Sequence, residues 1–580
     1  MKTNLVAIII ILFFSIVVSL PLLESGLFLM HDDQHVARLF VFDEALKAGQ
    51  FPVRWVNGLG FGFGYPLFNF YPPLIYILGE IFHLAGFSFI NSIKLVFFSG
   101  VFFSGVAMYI FVKELWGRAA GVISSLFYLL VPYRALDLYV RGALAESFSF
   151  VWLPLVLWAF YKIYKTNKTL YVYLSAIFLA LLMITHNLIF LPFMLLLPFY
   201  LLFLIWHSSR KLFTIYHFLF TIALAMGLSA YFWIPAILEK KYTIVDEMLL
   251  QNLADFRIHF VYPQQLWNWT WGFGGSAEGL ADGISFKIGK LHILVSFAAV
   301  ILVLATWIKN RNKFKSPFTI YYLPFTFFIL FLFSAFMTTF YSKFIWEIVK
   351  PLGYLQFPWR YLTFTVLFSS ILSGAFIYYL KLPVFKLVFG AILIFVLLFS
   401  NLKLFKPREY RFDLTDEIAT SSEVINWDVS KTSFEYVPKE VTLYQDGRGV
   451  NMFSIKKSEI PENKLELISG TATLQIVKNN PDEIAFNVES LEDSVLRANV
   501  FNFPGWHVLV DKQNTPINDN NDLKLITFKV PQGVHEVKVQ FKNTNVRTYA
   551  NMLTLGSVIV LIMLIIRQVT NRSGRFEMRK

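Results

Sequence analysis

Twelve stretches of this chain are long and apolar enough to demand either a bilayer or a deep core around them. A helix needs about 20 apolar residues to cross the roughly 30 Å hydrocarbon layer. Such runs fall at 5–23, 91–112, 119–133, 148–161, 170–185, 188–206, 212–235, 289–308, 317–340, 360–380, 384–401 and 548–566. None has the weak ten-residue alternation of an outer-membrane barrel strand. Charged residues make up only 15% of the 580, and hydrophobic ones 56%, against roughly 25% charged in soluble domains. The fold class is therefore a polytopic α-helical membrane protein. The first run follows Lys2 alone and has no A-x-A-like site near Val18-Ser19-Leu20-Pro21. It reads as a retained helix rather than a cleaved signal peptide.

The net charge of +13 comes from short loops. Residues 401–547 hold 18 Lys/Arg against 21 Asp/Glu, so the excess lies elsewhere. If the amino terminus is cytoplasmic, that side carries Lys113/Arg118, Lys162/Lys165/Lys168, Arg210/Lys211, Lys309/Arg311/Lys313/Lys315, Lys381/Lys386 and a tail with Arg567, Arg572, Arg575, Arg579 and Lys580. Loops on the other side mix both signs. A Lys/Arg bias in short loops sets orientation, so both termini are expected in the cytoplasm of a plasma-membrane protein, and no nucleic-acid partner is implied. Cysteine is absent, which excludes disulfides and thiolate metal sites.

Three units follow. Residues 1–401 form the membrane part with a long first outer loop at 24–90, residues 402–547 an outer domain, and residues 548–580 a last helix with a basic tail. Within the first loop, apolar Val36, Leu39, Phe40, Ala45 and Leu46 interleave with Arg38, Asp43, Glu44 and Lys47, as in a helix lying along a membrane face. Asn57 to Pro66 has glycine at every second position. It lacks the strand, helix and lysine context of a phosphate cradle, and reads as a tight aromatic turn at the interface. After residue 401, short alternating runs begin at 441–443, 450–455, 465–468, 472–477, 484–488, 495–501, 507–510, 523–530 and 534–541. They are separated by Asp-Gly, Asn-Asn-Pro, Phe-Pro-Gly and Pro-Gln-Gly turns, the pattern of an antiparallel β-sandwich. No internal repeat of the kind found in transporters is visible.

Ionisable residues inside a bilayer are costly and mostly functional, yet the centres of the runs hold essentially none. They gather at the outer ends, in His31–Arg38, Arg134–Glu146, His186, Asp246–His259 and Gln356–Arg360. Chemistry is therefore expected at the outer surface, where a lipid headgroup presents itself. The adjacent carboxylates Asp32 and Asp33 are the candidate catalytic groups. Asp33 directly precedes the loop helix and is expected to cap it, which leaves Asp32 as the better base. Candidate substrate-binding residues are His31, His35, Arg38 and Arg54 on the first loop, with Arg141, Glu146, His186, Gln356 and Arg360 beyond it. Asp137 and Arg141, four apart, would pair on a helix, while Arg141 facing a phosphate with Glu146 fixing it is the functional alternative. The set His31-Asp32-Asp33-x-His35 has ligand types suited to a divalent ion such as magnesium or manganese. Neighbouring ligands in one short run rarely converge, so no metal ligand is assigned.

These residues also resemble a known group. The acidic motif heading a long outer loop, the many helices and the C-terminal outer domain are similar to the GT-C superfamily of polyprenyl-phosphate-sugar glycosyltransferases. More narrowly, HDDQHVAR, GQFPVRWVNGLGFGFGYPLFNFYPPLIY, PYRALDLYVRGALAES and LQFPWRYL look like the bacterial membrane proteins labelled 6-pyruvoyl-tetrahydropterin-synthase-related. FPGWHVLVD and VPQGVHEVKVQF look like the C-terminal domain of YfhO-type proteins. The resemblance implies that the first-loop aspartate, Asp32 or Asp33, deprotonates an acceptor hydroxyl while the sugar leaves a polyprenyl phosphate with inversion. The acceptor would be an envelope glycan, lipid or protein. The competing expectations are a lipid or polymer transporter and a non-catalytic envelope glycan-assembly protein.

Overall fold

The computed structural model of the protein describes residues 2–250, 254–309, 319–441, 443–445, 451–453, 457 and 460–577. Arg311, Lys313, Lys315, Arg579 and Lys580, and parts of the expected strand at 450–455, lie outside them.

Each of the twelve apolar runs contains a helix. Among the described residues nine helices are long and apolar enough to cross a membrane. The bent pair Arg118–Leu129 and Pro132–Arg141, angled by 42°, makes a tenth if counted as one span. Thr169–Thr185 and Tyr322–Thr338 are apolar but shorter. The chain is thus a multi-pass α-helical membrane protein with a C-terminal β domain. The break in the bent pair has a local cause. Pro132 pushes Val131 to extended backbone, φ −79° and ψ 144°, because the residue before proline is barred from the helical region. A π-turn at Asp137–Arg141 then ends on Gly142 at φ 64°.

The first loop departs from its sequence reading in two places. The helix His35–Lys47 forms, but it does not lie on a membrane face with one side bare. His35, Val36, Ala37, Arg38, Leu39, Val41, Phe42, Asp43 and Ala45 are all buried, because Leu74–Leu84, Phe89–Trp116 and residues of 416–429 pack around it. The glycine-rich turn is also buried. Leu59, Phe61, Phe63 and Tyr65 are at most 3% exposed. Phe63 meets Phe501 at 5.2 Å between ring centroids, and its carbonyl accepts the Phe501 N–H at 3.0 Å. Two of its glycines are required by space as well as by φ. A Cβ on Gly64 (φ +85°) would sit 2.6 Å from the Trp55 indole nitrogen, and one on Gly60 (φ +66°) 2.7 Å from the Gly64 carbonyl. The turn is a knob set into the β domain, not an interfacial loop.

Strand β1 (Leu27–Phe28) of this loop pairs with β2 (Tyr410–Arg411), just after the eleventh run. A hairpin follows, β3 (Leu443–Gln445) with β4 (Asn451–Phe453). The sandwich proper comprises β5 (Leu465–Ser469), β6 (Ala472–Asn480), β7 (Glu483–Ser490), β8 (Ser494–Phe501), β9 (Trp506–Val510), β10 (Gln513–Thr515), β11 (Leu525–Val530) and β12 (Gly533–Phe541). One sheet has the order β10-β9-β12-β7-β6 and the other β11-β8-β5, all antiparallel. Phe486, Val488, Leu496, Ala498, Val508, Ile526, Phe528, Val537 and Val539 are at most 1% exposed, the alternate positions a two-sheet core requires. Residues 405–441 are not strand-rich. They carry a short helix and a π-turn and fold back over the first loop.

Candidate active site

A cavity of about 820 Å³ opens where the first loop, the broken span and the segment 431–436 meet. Asp32, His35, Arg38, Arg141, Glu146, His186, Gln356 and Arg360 all line it. These come from four of the five polar clusters legible in the sequence, and Glu247 brings in the fifth. His31, Asp33 and Arg54 are not among the lining residues. His31 is exposed, with its Nε2 3.2 Å from the Phe273 carbonyl.

Backbone pairing sets Asp32. The His31 N–H donates to the Val140 carbonyl at 3.0 Å and the Asp32 N–H to the Arg141 carbonyl at 2.8 Å. A Cβ on Gly142 would meet Met30 Sδ at 2.2 Å, so the close approach of the two segments needs glycine there. Asp32 takes part in no ion pair among the described residues. It lies within electrostatic reach of Arg141 and Arg360 and of Tyr71 and Tyr76. The expected cap is corrected: the helix starts at His35, Gln34 occupies the N-cap in helical conformation, and no side chain caps it. Gln34 Nε2 reaches instead to Thr432 Oγ1 at 3.0 Å.

Glu146 organises the inner wall. Its Oε2 is 2.8 Å from Arg141 Nη1 and 3.8 Å from Arg360 Nε, and its Oε1 accepts from Tyr133 at 2.7 Å and Thr363 at 2.9 Å. Arg141 Nη1 also meets Asp137 at 2.5 Å, so the four-residue spacing does give an ion pair. That pair is buried, with Asp137 at 0% and Arg141 at 6% exposure, because the bent span folds it inward. The Arg141 guanidinium lies 4.6 Å from the Trp359 ring centroid, an amphipathic stacking that an ammonium reproduces poorly. His186 caps the next helix, its Nδ1 accepting the Ile189 N–H at 3.1 Å.

Both His35 nitrogens are spent. Nε2 lies 2.8 Å from the Gly142 carbonyl and so carries the proton, while Nδ1 accepts from the Tyr76 hydroxyl at 3.1 Å. Burial holds this imidazole down to about 4, so it is neutral at physiological pH. The run His31-Asp32-Asp33-x-His35 therefore does not fit a metal. Its two histidines face different partners, and no group of three or more His, Cys, Asp or Glu among the described residues could hold an ion.

Arg54 belongs to a separate buried knot. It donates to Asn69 Oδ1 at 3.0 Å and to the Tyr231 carbonyl and Asn551 Oδ1, both at 2.9 Å. Asn69 in turn donates to Glu239 at 2.8 Å, and Glu239 pairs with Arg547 at 2.8 Å. Burial pushes the Arg54 guanidinium down to about 10. Sequence reasoning missed Tyr71, Lys431, Thr432, Glu435 and Tyr436 on the cavity wall. The last four lie some 400 residues along the chain from the helix they face, in a stretch with no local motif.

The fold and the cavity together define a multi-pass membrane protein with a charged, aromatic site between its first loop and its C-terminal segment. No protein-family model and no curated protein matches the chain. Among solved structures it is similar to the mycobacterial arabinofuranosyltransferase AftD, with TM-score 0.42 and 15% identity over 70% of this chain and 27% of that one. A mutant form of that enzyme gives 0.44 and 13%, over 70% and 28%. The Archaeoglobus fulgidus oligosaccharyltransferase, in complex with zinc and sulfate, gives 0.34 and 14%, over 71% and 53%. The chain thus spans about a quarter to a half of the length of these structures.

Proposed function

We propose that the protein is an extracytoplasmic, inverting glycosyltransferase of the GT-C kind, taking its sugar from a polyprenyl-phosphate donor, with Asp32 as general base. The observation that carries this reading is a carboxylate on the cavity wall that has no ion-pair partner among the described residues and lies within electrostatic reach of Arg141 and Arg360. The two arginines supply fork-shaped donors for a phosphate. Met183, Leu191, Phe232, Trp233 and Ile237 give the same cavity apolar lining. Ile237 is also 56% exposed, and in this reading the prenyl chain leaves the site past it.

In the reaction, the acceptor hydroxyl oxygen attacks the anomeric carbon and gives its proton to the Asp32 carboxylate. The bond from that carbon to the phosphate oxygen breaks, and its electron pair leaves with the phosphate. Polyprenyl phosphate departs carrying the extra negative charge, opposite Arg141 and Arg360. A positioned base contributes roughly 10²- to 10⁴-fold.

The test is transfer from radiolabelled polyprenyl-phosphate sugars by purified protein without an ion gradient. Asp32→Asn is expected to lose at least about 10²-fold in rate at unchanged melting temperature, and Asp33→Asn to stay within a few-fold of wild type. An active Asp32→Asn with a dead Asp33→Asn moves the base. Full transfer by both variants removes the first-loop aspartates from the base role, while gradient-dependent flux without transfer by wild type sinks the glycosyltransferase reading and favours a transporter.

A further inference from the structure

One wall of the cavity is built by residues 431–436, which return from the far end of the chain and are fixed at four points. Thr432 takes the Gln34 amide at 3.0 Å, and Ser433 takes Arg38 Nη2 at 2.7 Å. The Tyr65 hydroxyl accepts the Tyr436 N–H at 3.0 Å and donates to Glu435 Oε2 at 3.2 Å. The Ile244 N–H donates to the Val437 carbonyl at 3.2 Å and the Lys439 N–H to the Tyr242 carbonyl at 3.0 Å. So many anchors make this a set surface, not a lid.

That surface pairs aromatic faces with one acid and one guanidinium. Phe70 and Tyr436 stack at 5.0 Å, and Tyr71 lies under Arg38 at 4.6 Å. The charged pair is left open. Arg38 Nη2 and Glu435 Oε1 stand 4.0 Å apart, beyond hydrogen-bond reach. Arg38 is only 6% exposed, donates Nη2 to Ser433 and reaches the Tyr76 hydroxyl, while the rest of its fork stands on the cavity wall. A guanidinium and a carboxylate 4.0 Å apart on one cavity wall offer a ligand a donor and an acceptor side by side. Neutral hydroxyls meet both requirements, since one hydroxyl accepts from Arg38 while it or its neighbour donates to Glu435. A pyranose or furanose ring adds a C–H face for the aromatic rings. An anionic acceptor would set its charge against Glu435, and a prenyl chain would cover both charged groups with hydrocarbon.

We propose that residues 431–436, with Arg38 and Tyr71, form the acceptor subsite and that the acceptor is a neutral glycan, held so that one hydroxyl is presented to Asp32. This rests on the transferase reading given above. Asp32 lies within electrostatic reach of Tyr71 and Tyr76 as well as of the phosphate-side arginines.

Saturation-transfer NMR on the full chain in nanodiscs tests acceptor and donor binding separately. The probes are mannotriose, arabinotriose, chitotriose, galactotriose, a neutral peptide and undecaprenyl phosphate. At least one trisaccharide is expected to bind wild type, and Glu435→Gln and Tyr71→Leu are each expected to weaken it about ten-fold or more. Both variants should keep undecaprenyl-phosphate binding within two-fold, which also reports that they are folded. Saccharide binding that survives both substitutions overturns the subsite, as does a wild type that binds the peptide or none of the saccharides. Failure of wild type to bind the lipid phosphate instead strikes the donor reading, whatever the saccharides do.

Discussion

At the scale of single residues, the two arginines are not equivalent, although both stood out in the sequence for the same reason. Arg141 answers Asp137 and Glu146. Removing it strands two buried carboxylates, and breaking a buried pair costs about 3–5 kcal/mol. Arg360 sits 3.8 Å from Glu146, which keeps Arg141, Tyr133 and Thr363 if Arg360 is lost. Arg360→Ala is therefore expected to weaken undecaprenyl-phosphate binding about ten-fold with little change in melting temperature, and Arg360→Lys to weaken it less, because the charge remains without the fork. Arg141→Ala is expected to melt earlier. Equal binding by both Arg360 variants and wild type would make Arg360 an anchor only. His35 supplies a pH dependence. Its folded-state value of about 4 lies below the ordinary 6.5, so the unfolded chain binds a proton that the native state refuses. Stability is then full above pH 6.5 and falls as pH drops toward 4, by up to about 3 kcal/mol from this group. Melting temperature followed over that window should fall less steeply in His35→Gln; identical slopes would remove His35 from the account. Charge was legible at these positions because it is scarce in so apolar a chain. Glu435 was not, since its meaning depends on Arg38, 397 positions away in the chain.

At the scale of elements, the helices and most strands were readable because their periods are local. The twelve apolar runs became helices, and the alternation after residue 460 became strands. Strand β10 escaped because Gln513-Asn514-Thr515 has no apolar alternation. It exists because Asp511 and Lys512 both take positive φ, 47° and 67°, in the manner of a tight two-residue hairpin turn. The loop helix was found, but its burial was not, since an amphipathic pattern does not say what covers the polar face. Here the cover is made by elements distant in sequence. The pairing of residues 30–32 with 140–142 belongs to this scale as well. Gly142→Ala combines a φ of +64° with a Cβ 2.2 Å from Met30 Sδ, so the two segments must separate or the turn must unwind. Transfer is expected to fall at least ten-fold, through displacement of Asp32, while undecaprenyl-phosphate binding falls less. Full activity in Gly142→Ala would show that Asp32 does not depend on this pairing.

At the scale of the whole molecule, residues 431–436 complete a site that the membrane helices alone leave open, and the β domain beyond them packs on the first loop. Lys464 donates to the Gly62 carbonyl at 2.7 Å, Arg547 donates to the Pro504 carbonyl at 2.8 Å and pairs with Glu239, and residues 431–436 wall the cavity. The β domain must therefore lie on the same side of the membrane as the cavity, and the transferase reading requires that side to be the outer one. The absence of cysteine makes this directly measurable. Asn520, exposed in the β domain, and Ser209, exposed in the turn before Lys211, stand for the two sides under the Lys/Arg bias of the loops. In intact cells, a membrane-impermeant maleimide is expected to label Asn520→Cys, and to label Ser209→Cys only after permeabilisation. The reverse pattern would put Asp32 on the cytoplasmic face, where soluble nucleotide sugars are available and a lipid-phosphate donor confers no advantage. The donor assignment would then fall with the orientation, while the helices, the sandwich and the buried contacts of Glu146 would stand unchanged.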